Sequence, residues 1–493
     1  MELLRDGGPP ILVNQEIPYI PILTFPRRKP GTHETPELVV KLPPVCLVPA
    51  FFVISESMHV QVAQPTRQLI RLRNFVQEFS LPLILGVALG LVAANVDHHW
   101  YEAVVDFHPL GDHAYVFGHP LTIHFVINGM FMCLFFGIAA KEITESALPG
   151  GVLNPLRRAI NPLAGTLGGI FGPVGMYFAL TWIIYGGSED FGAVANGWAI
   201  PTATDIALAW LVARVVFGPM HPAVNFLLLL AVADDAIGLV IIAVFYPDPN
   251  HPVEPVWLAF VLGGMVAVYI LRRFRVRWWP VYILIGGTLS WIGLAKAGVE
   301  PALALVPIVP FLPHFGHGKG EIEQEDPSHD AAGTPHPHST ADERHAHSVL
   351  EDFEHQLKLF VDFGLFFFAF ANAGVPFTSI GWVTMMVLAS LIVGKAIGVT
   401  LFSWLASLVG FPLPPGMGVR HLVVTGVVAG LGLTVALFVA GKAFPGDSPF
   451  QEPGKMGAVF SIGAALVAFV LGKLLSVRQQ GLRSRITFPW IRD

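Results

Sequence analysis

Four ionisable side chains lie in the middle of long apolar runs of this sequence. They are the aspartates Asp205, Asp234 and Asp235 and the lysine Lys395. An ionisable group at the centre of an apolar helix is costly, so each one is expected to be functional unless it only fixes helix packing as an ion pair. Carboxylate and backbone oxygens are hard ligands, which suit sodium, lithium and protons and suit soft metals poorly. We therefore expect a site for a hard cation or a proton at these residues.

The residues around these aspartates predict how they are presented. Pro201 precedes Asp205 by four residues and removes a backbone donor, which frees carbonyl oxygens beside Thr204 and Asp205. Asp234 and Asp235 are adjacent, and neighbours in a helix point about 100° apart. One carboxyl can therefore face a water-filled funnel while the other faces a partner on another helix, for which the lysine is the candidate. A carboxylate that holds either a proton or a sodium ion, at a site with alternating exposure, has the properties of an antiporter.

The composition indicates that most of the chain lies in lipid. Of the 493 residues, 53% are hydrophobic and 13% are charged, and the mean hydropathy is +0.61, which argues against a set of soluble domains. The net charge of −6 and the absence of a long basic tract exclude nucleic acid as a partner. The two cysteines, Cys46 and Cys133, predict no disulfide framework.

Apolar runs long enough to cross about 30 Å of hydrocarbon predict an all-α integral membrane protein with about 12 transmembrane helices. The runs lie at about 79–97, 121–140, 163–185, 197–217, 222–245, 254–271, 276–296, 357–375, 380–409, 420–441 and 455–475, with a shorter run at 300–312.

The distribution of basic residues predicts the orientation of these spans, because cytoplasmic loops collect Lys and Arg. Twelve spans put every arginine-bearing segment and both termini on the cytoplasmic side, whereas the predicted outer loops hold only Lys296, Lys442 and Lys455. Eleven spans, without the short run, would put the basic ends after residue 312 outside.

The predicted organisation has five parts. They are an N-terminal extension over 1–74, transmembrane helices 1–8 over 75–312, a cytoplasmic loop over 313–350, transmembrane helices 9–12 over 351–478 and a cytoplasmic tail over 479–493. The Pro-rich extension is expected to be poorly ordered or interfacial, and an alternative hypothesis is that translation begins at Met58. The loop is rich in His, Pro, Gly, Asp and Glu, which is typical of a solvated linker; a metal-sensing or pH-sensing role is the alternative.

A more specific pattern is carried by the segments AIPTATDIALAW, LLLLAVADDAIGLVIIAVFY, FAFANAGV, LIVGKAIGV and GLGLTVALFVAG. Over about residues 75–478 the chain resembles the NhaA-type sodium/proton antiporters. The resemblance implies an inverted-repeat transporter in which helices three to five and ten to twelve are the repeats. It also implies that helices 4 and 11 are discontinuous, with Pro201 beside the first break and Gly430, Gly432 and Thr434 at the second.

The same resemblance implies a role for each of the four buried charges. Asp235 would be the principal ligand of the cation and the proton, Asp234 the partner of Lys395, and Asp205 with Thr204 the charge that balances the crossed helix ends. It further implies electrogenic exchange of sodium or lithium for protons, in the service of pH and sodium homeostasis. A homodimer in the lipid of the bacterial inner membrane, with no enzymatic activity and no cofactor, is expected.

The chain also departs from the family's pattern on its second predicted helix. Gly129 stands where the family has an acidic residue, and the basic residues that should follow the acid matched by Glu142 are missing. Glu142, with Glu354 and His355, is the candidate pH-sensing cluster. Asp362, near the cytoplasmic end of the predicted ninth span, is interpreted as a satisfied interfacial residue.

Two further classes of protein place carboxylates in membranes. An intramembrane aspartic protease needs two carboxyls that share a proton, and Asp205 with Asp235 could form such a pair. No segment resembles a protease signature, however, and Lys395 would have no role in one. A sodium-coupled symporter or a cation channel on a related fold is the other alternative. Everted vesicles separate these classes, because sodium alone collapses an imposed proton gradient only through an antiporter.

Overall fold

The computed structural model describes residues 80–111, 115–116, 119–148, 151, 156–247, 254–313, 348–444, 446 and 448–477. The predictions for the extension over 1–74, for the tail over 479–493 and for most of the loop over 313–350 lie outside these residues.

The described chain is helical apart from a two-residue antiparallel hairpin, β1 (Tyr115–Val116) with β2 (His119–Pro120). The helices are α1 (Leu81–Val96), α2 (His98–Val105), α3 (Ile123–Ala147), α4 (Leu156–Tyr185), α5 (Phe191–Ala195), α6 (Ile206–Phe217), α7 (Pro222–Phe245), α8 (Leu258–Arg273), α9 (279–296), α10 (Val349–Ala373), α11 (Trp382–Leu408), α12 (Val419–Ala429), α13 (Leu433–Ala443) and α14 (Gln451–Leu474). Short 3₁₀ segments lie at Asn196–Thr202, Pro255–Trp257, Pro301–Leu303, Val309–Phe311 and Phe377–Ser379. Among the described residues, seven helices are long and apolar enough to cross a membrane, and two bent pairs raise that number to as many as nine.

The two bent pairs are α5 with α6 and α12 with α13, and each pair is bent by 54°. In the first pair the 3₁₀ segment that contains Pro201 follows α5, and Asp205 then caps α6 by accepting a hydrogen bond from the Leu208 amide at 3.1 Å. In the second pair the break lies at residues 430–432. A Cβ on Gly430 would lie 2.4 Å from the Leu391 carbonyl oxygen, so only glycine lets the backbones approach this closely.

Helices α4 and α11 pack against each other through facing glycines. A Cβ on Gly398 would lie 1.9 Å from the carbonyl oxygen of Gly168, and one on Gly172 would lie 2.3 Å from that of Gly394. Small residues at such a seam let helix backbones approach closely within a membrane, where the contact gains van der Waals energy. This packing fixes α11, and with it Lys395, against the core of the bundle.

The short predicted span at 300–312 differs in form from the other spans. It consists of the two 3₁₀ segments Pro301–Leu303 and Val309–Phe311 joined by turns, in place of a helix. Three prolines in this stretch cannot donate the hydrogen bonds of an α-helix. Ala302, Ile308 and Leu312 are fully buried, so the irregular backbone is covered by protein.

Candidate cation-binding site

Asp234 and Lys395 form an ion pair in the interior of the protein. The Nζ atom of Lys395 donates to Oδ2 of Asp234 at 2.9 Å, and the exposed fractions of the two side chains are 0% and 1%. Charges removed from water are tolerated only when they are paired and further hydrogen-bonded. The structure thus brings α7 and α11 together through the two residues that the sequence proposed as partners.

Lys395 also binds the break between α5 and α6. Its Nζ atom lies 2.5 Å from the carbonyl oxygen of Thr202 and 2.7 Å from that of Ala203. The helix is interrupted after Pro201, so these carbonyls lack the usual partner one turn further along the chain. The lysine therefore compensates one carboxylate and two exposed backbone dipoles at the same time.

Thr204 connects this ion pair to the second break. Its hydroxyl oxygen lies 2.6 Å from Nζ of Lys395, 2.7 Å from Oδ2 of Asp234 and 3.0 Å from the carbonyl oxygen of Ala429. A hydroxyl carries one proton, so it accepts from the lysine and donates to one of the other two oxygens at a time.

Asp205 joins the two bent pairs directly. Its amide donates to the carbonyl oxygen of Leu431 at 2.5 Å, and its Oδ2 atom accepts a hydrogen bond from the Thr434 hydroxyl at 3.0 Å. The other carboxylate oxygen caps α6. The buried charge of Asp205 therefore lies at the N-terminal ends of both α6 and α13, where helix dipoles favour a negative charge.

Asp235 points away from the ion pair and lines a cavity of about 670 Å³. No residue in the described parts of the chain forms a hydrogen bond or an ion pair with its carboxylate. Other polar residues that line the cavity are Thr204, Asp205, Thr434, Glu142, Lys358 and Asp362. Carboxylate and hydroxyl oxygens are the donors that a hard monovalent cation takes, and an unpaired carboxylate can also take a proton.

The candidate pH-sensing residues do not all come together. Glu142 and Lys358 line the cavity. Glu354 accepts a hydrogen bond from Lys141 and lies 3.5 Å from Nζ of Lys358, so it belongs to a neighbouring ionic cluster. His355 is exposed.

Sequence reasoning missed three contributions to this region. The carbonyls of Thr202 and Ala203 bind the lysine, and Pro201 was the signal that could have pointed to them. The Ser461 hydroxyl accepts from the amide of Gly432 at 3.2 Å and supports the second break. Lys141 lies 2.6 Å from Glu145, a pair that the spacing of four residues predicts.

The sequence is similar to known proteins over most of its length. The sequence model of the family described as Na+/H+ antiporter 1 matches residues 75–475. The protein named Na(+)/H(+) antiporter NhaA from Geobacter sulfurreducens is 53% identical over 410 residues, which cover 82% of this chain and 98% of the relative. The protein of the same name from Desulfitobacterium hafniense is 52% identical over 407 residues, or 82% and 96% of the two chains. A third, from Jannaschia sp., is 43% identical over 443 residues, or 83% and 99%.

Proposed function

Because the chain belongs to the Na+/H+ antiporter 1 family, we propose that it exchanges sodium, or lithium, for protons across a membrane that it crosses several times. The observation that carries the proposal is the different surroundings of two adjacent carboxylates. Asp234 is neutralised by Lys395 at 2.9 Å, whereas Asp235 faces the cavity without a partner among the described residues. Asp235 is then the carboxylate that binds sodium and a proton in turn.

Exchange follows from competition at Asp235. A carboxylate that binds sodium strongly does so as the anion, and a carboxylate that holds a proton has lost the charge that binds sodium. If the cavity opens alternately to the two sides, one site carries sodium in one direction and protons in the other. Asp205, Thr204 and Thr434 supply further oxygens beside the ion, and no bound cofactor enters the cycle.

Asp234 and Lys395 have a different role in this proposal. Their ion pair holds the break beside Thr202 and Ala203 in place, because the lysine binds both carbonyls and the carboxylate. The pair thereby keeps Asp235, the next residue in the chain, aligned with the break while the protein changes conformation.

The proposed architecture follows the family. We assign the two bent pairs to spans 4 and 11 of twelve, with helices three to five and ten to twelve as inverted repeats. Their equal bend of 54° and the hydrogen bonds between their breaks support this assignment. Location in the bacterial inner membrane with both termini in the cytoplasm, electrogenic exchange and a homodimer are parts of the same proposal and rest on the family resemblance.

Everted membrane vesicles test the exchange. With an acidic interior imposed by respiration, added sodium or lithium should collapse the proton gradient in vesicles that hold the wild-type protein. Asp235→Asn should abolish this response, because an amide can neither take up the proton nor supply the charge that binds sodium. Asp190→Asn, on an exposed loop, is the matched control and should respond like the wild type. Full exchange by the Asp235→Asn variant would refute the assignment of Asp235 as the residue that binds the cation.

A further inference from the structure

A tyrosine hydroxyl holds the start of the 3₁₀ segment Asn196–Thr202, which precedes the first break. Tyr246 is the residue that follows α7. Its hydroxyl donates to the carbonyl oxygen of Asn196 at 2.7 Å and accepts from the amide of Ala199 at 3.3 Å. These two backbone groups are three residues apart, which is the spacing of the acceptor and the donor that a 3₁₀ turn joins. The hydroxyl therefore binds both polar groups of one turn of the segment.

Aromatic packing fixes the ring that carries this hydroxyl. The ring of Trp198, in the same segment, lies 5.2 Å from that of Phe245 in an edge-to-face contact and 6.4 Å from that of Tyr246. Tyr246 and Ala199 are both buried. Water cannot readily replace a buried hydrogen-bond partner, so the Ala199 amide depends on the hydroxyl more than an exposed amide would.

A chain of hydrogen bonds continues from this turn to the buried ion pair. The Thr202 hydroxyl donates to the carbonyl oxygen of Ala199 at 2.8 Å, and the carbonyl oxygen of Thr202 accepts from Nζ of Lys395 at 2.5 Å. Lys395 in turn pairs with Asp234. Tyr246 and Lys395 therefore hold the two ends of the same short segment.

Helix α7 contacts the first bent pair at two levels. Asp234 Oδ2 lies 2.7 Å from the Thr204 hydroxyl, and Tyr246 lies twelve residues later, about 18 Å further along α7. The chain from Asn196 to Thr204 covers about 19 Å, at the 3₁₀ rise of about 2.0 Å per residue and then along the extended backbone after Thr202. Because the two lengths match, the segment lies antiparallel along α7, with hydrogen bonds at both ends.

We propose that Tyr246 is a positioning residue of the cation site, which acts through the 3₁₀ segment. Thr204 and Asp205 follow that segment closely, and both line the cavity together with Asp235. With its start bound to Tyr246, the segment presents these oxygens in a fixed arrangement, and the rigidity of a ligand set contributes to its affinity for a cation. The inference rests on the proposed exchange activity and adds to it a residue that determines the apparent affinity for sodium.

Tyr246→Phe tests this role, because it removes the hydroxyl and keeps the ring. Exchange is measured in everted vesicles over a range of sodium concentrations. The KM for sodium should rise roughly 5-fold, the equivalent of one net hydrogen bond, while the maximal rate stays within about a factor of two of the wild type. A role in stability alone would lower the amount of active protein, and with it the maximal rate, without changing the KM.

Thr202→Val tests the route through the segment, because it breaks the next hydrogen bond of the chain and keeps the shape of the side chain. It should also raise the KM for sodium. The double variant with Tyr246→Phe should have a KM well below the product of the two single effects, because both substitutions loosen the same segment. An unchanged KM in Thr202→Val, or a double variant that reaches the full product, would overturn this route.

Tyr282→Phe is the matched control. Tyr282 is fully buried, its hydroxyl donates to the carbonyl oxygen of Val276 at 2.8 Å, and it does not line the cavity. Its KM should equal that of the wild type.

The outcomes separate this inference from the exchange proposal. An unchanged KM in Tyr246→Phe, beside normal exchange by the wild type, would overturn the role of Tyr246 and leave the exchange proposal intact. An equal rise of the KM in Tyr282→Phe would do the same, because any lost buried hydroxyl would then have the effect. Absence of exchange in the wild type and in Tyr282→Phe would instead refute the exchange activity itself.

Discussion

Two adjacent aspartates in this protein occupy different environments because a helix turns by about 100° per residue. Asp234 points to α11 and is neutralised by Lys395, and Asp235 points to the cavity. This difference is the basis for the proposal that Asp234 has a structural role and that Asp235 binds the ion. Because these two carboxyls diverge, they cannot share a proton as the paired carboxyls of an aspartic protease do.

The ion pair leads to a prediction about stability. Lys395→Ala should lower the free energy of unfolding by about 3–5 kcal/mol, because it leaves the Asp234 carboxylate buried without its cation and two carbonyls without their donor. Asp234→Asn added to Lys395→Ala should recover part of that loss, because it removes the uncompensated charge. Thermal unfolding of the purified protein in detergent measures both. Equal stability of the single and double variants would show that the charge of Asp234 is compensated elsewhere.

Much of this chemistry could be predicted from residue types, including Lys395 as the partner of Asp234, but the backbone partners of Lys395 could not. Charge in an apolar run identified Asp205, Asp234, Asp235 and Lys395 as a group. The bonds from Lys395 to two carbonyls depend on the path of the backbone after Pro201, which a one-dimensional pattern does not contain. Asp362 lies on the wall of the cavity, and its interpretation as a satisfied interfacial residue stays a prediction.

At the scale of elements, a glycine seam lets α4 and α11 pack closely. Gly398→Ala should destabilise the protein by about 1–3 kcal/mol and lower exchange, since the new Cβ would lie 1.9 Å from a backbone oxygen and neither helix can yield locally.

Gly263→Ala on α8 is the matched control for this substitution. A Cβ at that position meets nothing within 4 Å, so helix propensity alone should leave stability unchanged or raise it by up to about 1 kcal/mol. Melting temperatures of the two variants in the same detergent decide the matter. A Gly398→Ala protein as stable as Gly263→Ala would mean that the seam is not tightly packed.

A stacked pair of histidines connects the start of α7 to the start of α12. The rings of His221 and His421 lie 5.1 Å apart, and Nδ1 of His221 accepts from the Ala223 amide at 3.1 Å as the cap of α7. Burial, and then the neighbouring His421, lower the pKa of His221. The stabilisation from the neutral ring is therefore complete above the ordinary histidine pKa of about 6.5 and is lost as the pH falls through the lowered value.

His221→Asn should reduce this acid sensitivity, because an asparagine cap still accepts the amide proton but does not titrate. We expect the melting temperature of the wild type to fall more steeply than that of the variant between about pH 7 and about pH 5. His99→Asn changes an exposed histidine on α2 and should follow the wild type. Parallel curves for all three proteins would exclude His221 as a source of the pH dependence.

For the whole molecule, the position of the cavity relates the site to the two ends of α3 and α10. Glu142 and Lys358, which line the cavity, lie in the predicted cytoplasmic halves of these helices. Toward the opposite end the same two helices are joined by the side chains of Asn128 and Asn372, which lie 2.9 Å apart, N to O. On the predicted orientation the cavity therefore lies on the cytoplasmic side of these asparagines.

That orientation depends on the irregular segment near Pro301. Its two 3₁₀ turns rise more steeply than an α-helix, at about 2.0 Å per residue, so a short stretch covers more of the membrane than hydropathy alone suggests. If the segment crosses, there are twelve spans and the loop after α10 lies outside. If it does not, that loop lies in the cytoplasm and α10 would run parallel to α3, against the antiparallel contacts of Lys141 with Glu354 and of Asn128 with Asn372.

Cysteine labelling distinguishes these two topologies. In a background without Cys46 and Cys133, Thr378→Cys, on the exposed loop after α10, should react with a membrane-impermeant maleimide in intact cells. Ser188→Cys precedes the irregular segment and lies outside in both topologies, so it sets the level of full labelling, and Arg275→Cys lies inside in both and should stay unlabelled. Protection of Thr378→Cys to the level of Arg275→Cys would place residue 378 in the cytoplasm and rule out twelve spans. The basic segments after residue 312 would then face outward, against the charge asymmetry that governs insertion.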